Sequence, residues 1–345
     1  MNFERRRIVS RRHTLARRHT LAYSLNSKII DWNKDFLSER DQCVILDGTK
    51  SKSIRVSSGV PQGPLLFLIG PLLFLININD LEKVVKSTIR IFADDTVIYR
   101  EIKNRLDYVV VTNDLEAILH WCNEWDLELN LSKCSVVQFW KHRIQTPQFT
   151  YKYRLNGIEL NVLDSVKYLG VTLTSDLSWD THIRNICGKA KKTQGFIKRI
   201  VGKCDEKTKE TCYFSLVRPQ LEYASSIWDP HQTLLIKELD KVQRRAARFV
   251  KNCYDRQASV SKLLENLMWD TLEERRSKAR LKLLDTYRGH IFTVDVENIV
   301  LKPNYVGRHD HTDKIREIVC RTERFKGSFF PRTINEHNQY KNTST

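Results

Sequence analysis

The sequence predicts an α+β chain, with an antiparallel sheet and its helices first and a helical C-terminal region after them. Three observations predict it. The stretch Ile89-Arg90-Ile91-Phe92-Ala93-Asp94-Asp95-Thr96-Val97-Ile98-Tyr99 sets β-favouring residues on both sides of two adjacent acids, the pattern of a hairpin with an acidic tip. Short alternating runs broken by Asp-Gly and Asn-Gly recur as far as residue 175, as turn-linked strands do. Beyond Trp179 apolar residues recur at helical spacing among lysines and arginines.

With 345 residues the chain is long enough for two or three domains and a sizeable core. It is 41% hydrophobic and 10% aromatic, which argues against global disorder. Its 58 basic against 41 acidic residues leave a formal charge of +17. Such an excess points to a polyanionic partner, because Lys and Arg neutralise phosphates and release counterions. None of the 8 cysteines forms a Cys-x-x-Cys pair or a zinc-finger spacing. With no secretory signal, reduced intracellular thiols are expected. The longest apolar run, 64–78, contains Gly70, Pro71 and Asn77 and is too short to span a bilayer.

In chain order, residues 1–22 hold a tandem copy, Arg11-Arg12-His13-Thr14-Leu15-Ala16 followed by Arg17-Arg18-His19-Thr20-Leu21-Ala22. A nucleic-acid-binding arm, a targeting peptide and a disordered basic leader all fit this composition; a leader without a role is the reading adopted. Leu25, Ile29, Trp32 and Phe36 predict an amphipathic helix. Gln42–Leu46 and Ser53–Val56 predict strands joined through Asp47-Gly48. Val111, Leu115, Ile118, Leu119, Cys122 and Trp125 share one helical face. A strand over Ser135–Phe139, a hairpin closed by Asn156-Gly157 and a strand over Val166–Val171 follow. Finally Leu235, Leu239, Val242, Ala246 and Phe249 line a helix whose other faces carry Lys237, Lys241, Arg244, Arg245, Arg248 and Lys251. That basic surface suits a nucleic-acid backbone, and a merely solvated face is the alternative.

The acidic tip has two readings: a solvated turn, or a hard-metal site where Asp94 and Asp95 hold Mg²⁺ with nucleotide phosphates. Company favours the second. Ser58-Gly59-Val60-Pro61-Gln62-Gly63, then Pro71-Leu72-Leu73-Phe74-Leu75-Ile76-Asn77-Ile78-Asn79-Asp80-Leu81, then Phe92-Ala93-Asp94-Asp95-Thr96 stand in this order. Together they resemble the reverse transcriptases of non-LTR (LINE-type) retrotransposons. Trp32 with Phe36-Leu37-Ser38-Glu39-Arg40 and Gln42 extends the resemblance upstream. Leu216-Val217-Arg218-Pro219, Val242 to Phe249 and Ser328 to Ile334 extend it downstream, so that it covers about residues 30–335.

The resemblance implies a partial polymerase palm over 23–175, a basic, helical, thumb-like region over 176–290 and a tail over 291–345. It implies an RNA-directed DNA polymerase acting with Mg²⁺ on an RNA template, a DNA primer and dNTPs, with no membrane partner. Asp94 would be the stronger metal ligand and catalytic carboxylate, Asp95 the supporting one. Gly59, Pro61, Gln62, Gly63 and Lys133 would meet the nucleotide, and Lys237, Lys241, Arg244, Arg245 and Arg248 the nucleic acid. The family's third aspartate lies on an apolar strand ahead of the Trp32 helix, where this sequence has only Glu4. A second departure is the copy of Pro71–Ile76 at 64–69; three extra helical residues would rotate the chain beyond them by about 300°. The expectation is a reverse transcriptase fragment that does not polymerise alone, with a non-catalytic nucleic-acid binder as the alternative.

Overall fold

In the computed structural model the described residues are 3–4, 26–56, 69–125, 127–139, 151–255, 257–289, 299–303, 305, 307 and 313–343. The chain divides into two compact units, Met1–Asp164 and Ser165–Thr345. Helices and strands are mixed, as an α+β class requires. The expected antiparallel pairing takes the form of small ladders: among the described residues there are seven two-stranded ladders, of which only Asn161–Val162 with Ser135–Val136 is parallel. Most of the strands are two residues long, and two-stranded ladders are marginal unless they pack on helices. No described helix is long and apolar enough to cross a membrane.

In the first unit, Asn26 caps the helix Ser27–Leu37, on which Trp32 stacks over Phe36 at 5.1 Å. Asp47 and Gly48 both take positive φ (48° and 81°) between Ile45–Leu46 and Thr49–Lys50, the backbone that a two-residue hairpin turn demands. The helix Ile69–Ile78 runs into a 3-10 turn, Asn79–Val84, and then into the acidic hairpin, Thr88–Phe92 paired with Asp95–Tyr99. The next helix, Arg105–Glu124, opens with a capping box in which Asn104 and Asp107 satisfy each other's backbone N–H groups. Its expected apolar face is real: Leu115, Ile118, Cys122 and Trp125 are buried, with Trp121 added. Ile78, Leu81, Ile118, Trp121 and Trp125 form one core with Ile89 of the hairpin. Asn156-Gly157 closes the ladder Arg154–Leu155 with Ile158–Glu159 as expected, whereas the strand expected over 135–139 is only Ser135–Val136.

Asp114 welds these pieces. It is 3% exposed, and its two carboxylate oxygens accept the backbone N–H groups of Lys86 and Ser87, each at 2.8 Å. The helix thus grips the backbone just ahead of the acidic hairpin. Charge-assisted bonds of this kind are each worth about 1.5–3 kcal/mol.

The second unit opens with a hairpin, Ser165–Tyr168 with Val171–Thr174. The continuous strand expected over 166–171 is corrected here: Leu169 and Gly170 take φ of 44° and 85° and turn the chain. Tyr223 Oη donates to Leu169 O at 2.9 Å, and a Cβ on Gly170 would come within 2.9 Å of the Tyr223 ring. Only glycine allows that approach. Helices Asp180–Val201, Thr233–Val250 and Leu272–Arg288 then enclose a core that includes Ile183, Trp228, Leu239, Val242 and Leu272. Asp229, 6% exposed, meets Arg276 at 2.5 Å, Arg332 at 3.4 Å and Arg280; Arg280 and Arg332 also engage Glu336. This charge cluster fastens the C-terminal helix Phe329–Thr343 to the helix Leu272–Arg288.

His182 is 2% exposed, and its Nδ1 accepts the Thr172 N–H at 3.2 Å while its ring meets Trp228 edge-on at 5.2 Å. Burial, and then the charge of Lys167, pull its pKa below the ordinary 6.5. A base with a depressed folded pKa contributes stability above its unfolded value, lost as pH falls through the folded one. We expect the melting temperature to drop as pH falls below about 6.5, and His182→Gln to flatten that dependence in thermal melts. Asp114→Ala should destabilise the chain by about 3 kcal/mol, from the loss of two charge-assisted bonds, read by urea denaturation of the chain.

Candidate functional site

The acidic hairpin has two unlike faces. Its register pairs Ile89 with Ile98 and Ile91 with Thr96, and these four side chains point inward: Ile89 and Thr96 are buried, and Ile91 and Ile98 pack on the core. By alternation the other face carries Thr88, Arg90, Phe92, Asp95, Val97 and Tyr99. Phe92 lies directly across from Asp95 and is 63% exposed. Asp95 therefore stands on the open face, anchored by a sealed inner one.

The loop between the strands is only Ala93-Asp94. Ala93 sits at φ 51°, a left-handed conformation that costs an L-residue roughly 1–2 kcal/mol. This tight turn places the two aspartates at the tip, Asp94 in the loop and Asp95 at the head of the strand, both half-buried. They form the acidic tip that the sequence predicts. Arg90, on the same open face as Asp95, has its guanidinium donating to Ile89 O at 2.9 Å. Among the described residues no group of three His, Cys, Asp or Glu side chains could hold a metal ion.

Of the other expected site residues, Gly59, Pro61, Gln62 and Gly63 lie outside the described residues, as do 64–68 of the duplicated run. Lys133 is exposed at the end of the 3-10 turn Leu131–Lys133. That turn follows Leu129, which packs in the same cores as Ile98 of the hairpin.

The basic helix of the second unit is Thr233–Val250. Leu235, Leu239, Val242, Ala246 and Phe249 are all buried, as their spacing predicts. Gln243 is buried too, its amide donating to Asp270 O at 2.9 Å and accepting the Leu272 N–H at 3.2 Å; periodicity alone does not reveal it. The cations divide into two groups. Lys241 is paired with Glu238 at 2.6 Å, Lys251 with Glu206 at 2.5 Å, and Arg248 donates to the backbone carbonyls of Asp255 and Ala258. Lys237, Arg244 and Arg245 are exposed on the helix surface. Asp114, which sets the hairpin's position, is the contributor that sequence reasoning misses: it falls on the same helical face as Val111, Ile118 and Cys122, so a carboxylate in the apolar stripe is the signal that could have found it.

Residues 12–173 match the family described as reverse transcriptase (RNA-dependent DNA polymerase). Among similar proteins is the RNA-directed DNA polymerase from mobile element jockey of Drosophila melanogaster, 32% identical over 44% of this chain and 17% of the relative. The probable RNA-directed DNA polymerases from the transposon X-element and the transposon BS of the same fly are 27% and 24% identical. They match 64% and 74% of this chain, which spans 24% and 29% of their own lengths.

Ala93→Val should destabilise the chain by about 1–2 kcal/mol, because a β-branched residue resists positive φ, while Ala93→Gly is tolerated; urea melts of the two variants check this. The motif order and these matches agree: residues 12–173 are similar to the reverse transcriptase domains of non-LTR (LINE-type) retrotransposons.

Proposed function

We propose that this chain supplies part of an RNA-directed DNA polymerase: a palm segment that presents Asp94 and Asp95 to a metal ion, and a thumb-like helical unit that grips the template–primer backbone. The observation that supports the reading is the two-residue turn at the tip of a hairpin that carries Asp94 and Asp95 and whose other face packs on the core. Hard carboxylate oxygens in such a place fit Mg²⁺, which takes one or two carboxylates together with water and phosphate oxygens. Asp94 would be the principal ligand and Asp95 the supporting one. Bound there, Mg²⁺ supplies charge stabilisation to the reacting phosphoryl oxygens.

Two carboxylates suffice for one such ion but not for the pair of ions that a two-metal phosphoryl transfer uses. The described residues add no third ligand at the tip. The chain by itself is therefore proposed to bind nucleic acid without extending a primer. Lys133 and the 59–63 segment are assigned to the incoming nucleotide, and Lys237, Arg244 and Arg245, with Lys241 and Arg248, to the phosphate backbone. The exposure of the first three basic residues of that set favours the binding half of this reading on its own account.

Primer extension on an RNA template with Mg²⁺ and dNTPs tests the catalytic half. No incorporation is expected from the chain alone, and incorporation abolished by Asp94→Ala would overturn its inactivity. For the binding half, anisotropy of a labelled RNA–DNA duplex should fall with salt, and Arg244→Ala should reduce the log K against log [salt] slope by about 1. Salt-independent or undetectable binding would refute it.

A further inference from the structure

The helix Asp180–Val201 carries a second cationic surface, on a side that meets neither the core nor the basic helix. Its buried face is Ile183, Cys187, Ala190, Gln194 and Ile197. Lys191 and Lys198 turn toward the basic helix Thr233–Val250: the first pairs with Glu238 at 3.4 Å, and the ammonium of the second lies 5.6 Å from the centroid of the Phe249 ring. Lys189, Lys192, Phe196 and Arg199 recur at three- and four-residue spacing. At about 100° per residue they fall within about 80° of one another, opposite the buried face. From Lys189 to Arg199 this line runs about 15 Å along the axis, and Lys203 follows just past the helix end. All five residues are exposed, Phe196 by 52%.

Nothing within the helix compensates these charges. Its sole acid is Asp180, already paired with Arg184 at 2.7 Å. Among the described residues none of Lys189, Lys192, Arg199 and Lys203 has an ion-pair partner. Like charges three and four residues apart weaken a helix, so the line is costly unless a polyanion meets it. Gly188 and Gly195, two turns apart, run alongside. A Cβ on Gly188 would meet no described atom within 4 Å, and one on Gly195 only the Arg199 guanidinium at 4.0 Å. Glycine weakens a helix interior relative to alanine, and no packing within the unit demands it at either place. Bare backbone there lets a ligand lie close against the helix.

We propose that this surface binds an unpaired nucleic-acid strand, with phosphates against Lys189, Lys192, Arg199 and Lys203 and one base stacked on Phe196. An exposed aromatic ring set among cations suits a single strand, because every base has a π-face and every nucleotide a charge. A duplex keeps its bases stacked inside and leaves the ring unused. A membrane surface calls for a broad apolar face, whereas here Phe196, with Ile200 beside it, interrupts a cationic line. This strand and the duplex assigned to the basic helix would occupy different faces of the unit. The inference goes beyond the duplex reading and does not depend on it.

The test uses the full chain with a labelled single-stranded RNA, the matching single-stranded DNA and an RNA–DNA duplex, read by anisotropy across a potassium chloride series. Both single strands should bind alike, since charge and stacking ignore the 2′-hydroxyl. Lys192→Ala should lower their salt slope by about 0.7 and leave the duplex slope unchanged. Phe196→Ala should weaken single-strand binding by roughly 5–100-fold, while Phe196→Tyr, which keeps a ring, should bind as the wild type does. Lys326→Ala, an exposed lysine elsewhere in the unit, should have no effect, and circular dichroism melts check that each variant is folded. If Lys192→Ala and Phe196→Ala bind single strands like the wild type while Arg244→Ala weakens the duplex, this proposal falls and the basic-helix reading stands. If the expected single-strand losses appear but the duplex does not bind, the reverse holds. A loss with Lys192→Ala but none with Phe196→Ala would overturn the stacked strand, as would binding to phosphatidylserine vesicles without binding to either single strand.

Discussion

The first unit depends on a single buried carboxylate. Asp114, midway along the helix Arg105–Glu124, takes the backbone N–H groups of Lys86 and Ser87, and so sets where the hairpin Thr88–Tyr99 begins. A two-stranded ladder is marginal in isolation. Here it persists because its inner face joins Ile118 and Trp121 in one core while Asp114 fixes its entry. The strained turn at Ala93 is tolerated only because those anchors over-determine the hairpin around it.

The second unit solves a different problem, that of excess positive charge. Some of its cations are absorbed internally: Arg276 and Arg280 around Asp229, with Glu336 and Arg332 beside them. Removing one partner of such a buried group leaves an uncompensated charge, which typically costs about 3–5 kcal/mol. Others are held at the surface by Glu238 and Glu206. Lys237, Arg244 and Arg245 stay exposed on the basic helix, the surface proposed to meet a polyanion.

Much of this was legible in the residues. Periodicity marked the buried face of the helix Thr233–Val250 and of the helix Arg105–Glu124, because apolar side chains at three- and four-residue spacing have only one way to leave water. Asp47-Gly48 and Asn156-Gly157 announced their turns because few residues tolerate positive φ. Leu169-Gly170 was the exception: Val166 to Val171 is apolar enough for one strand, and only Tyr223, more than fifty residues later, shows why the chain must turn there. How far the expected antiparallel pairing extends was not legible for a related reason, since strand pairing depends on partners distant in sequence, and among the described residues each ladder stops at two strands.

By itself the sequence determined the family motifs, the acidic tip, the basic helix and the sign of the charge, for these follow from residue type and local spacing. Tertiary structure alone decided which cations on the basic helix are taken up by neighbours, that Asp114 holds the backbone of Lys86 and Ser87, and that His182 is buried against Trp228. The reason is physical: burial and like-charge proximity are properties of packing between helices, and no local pattern encodes them.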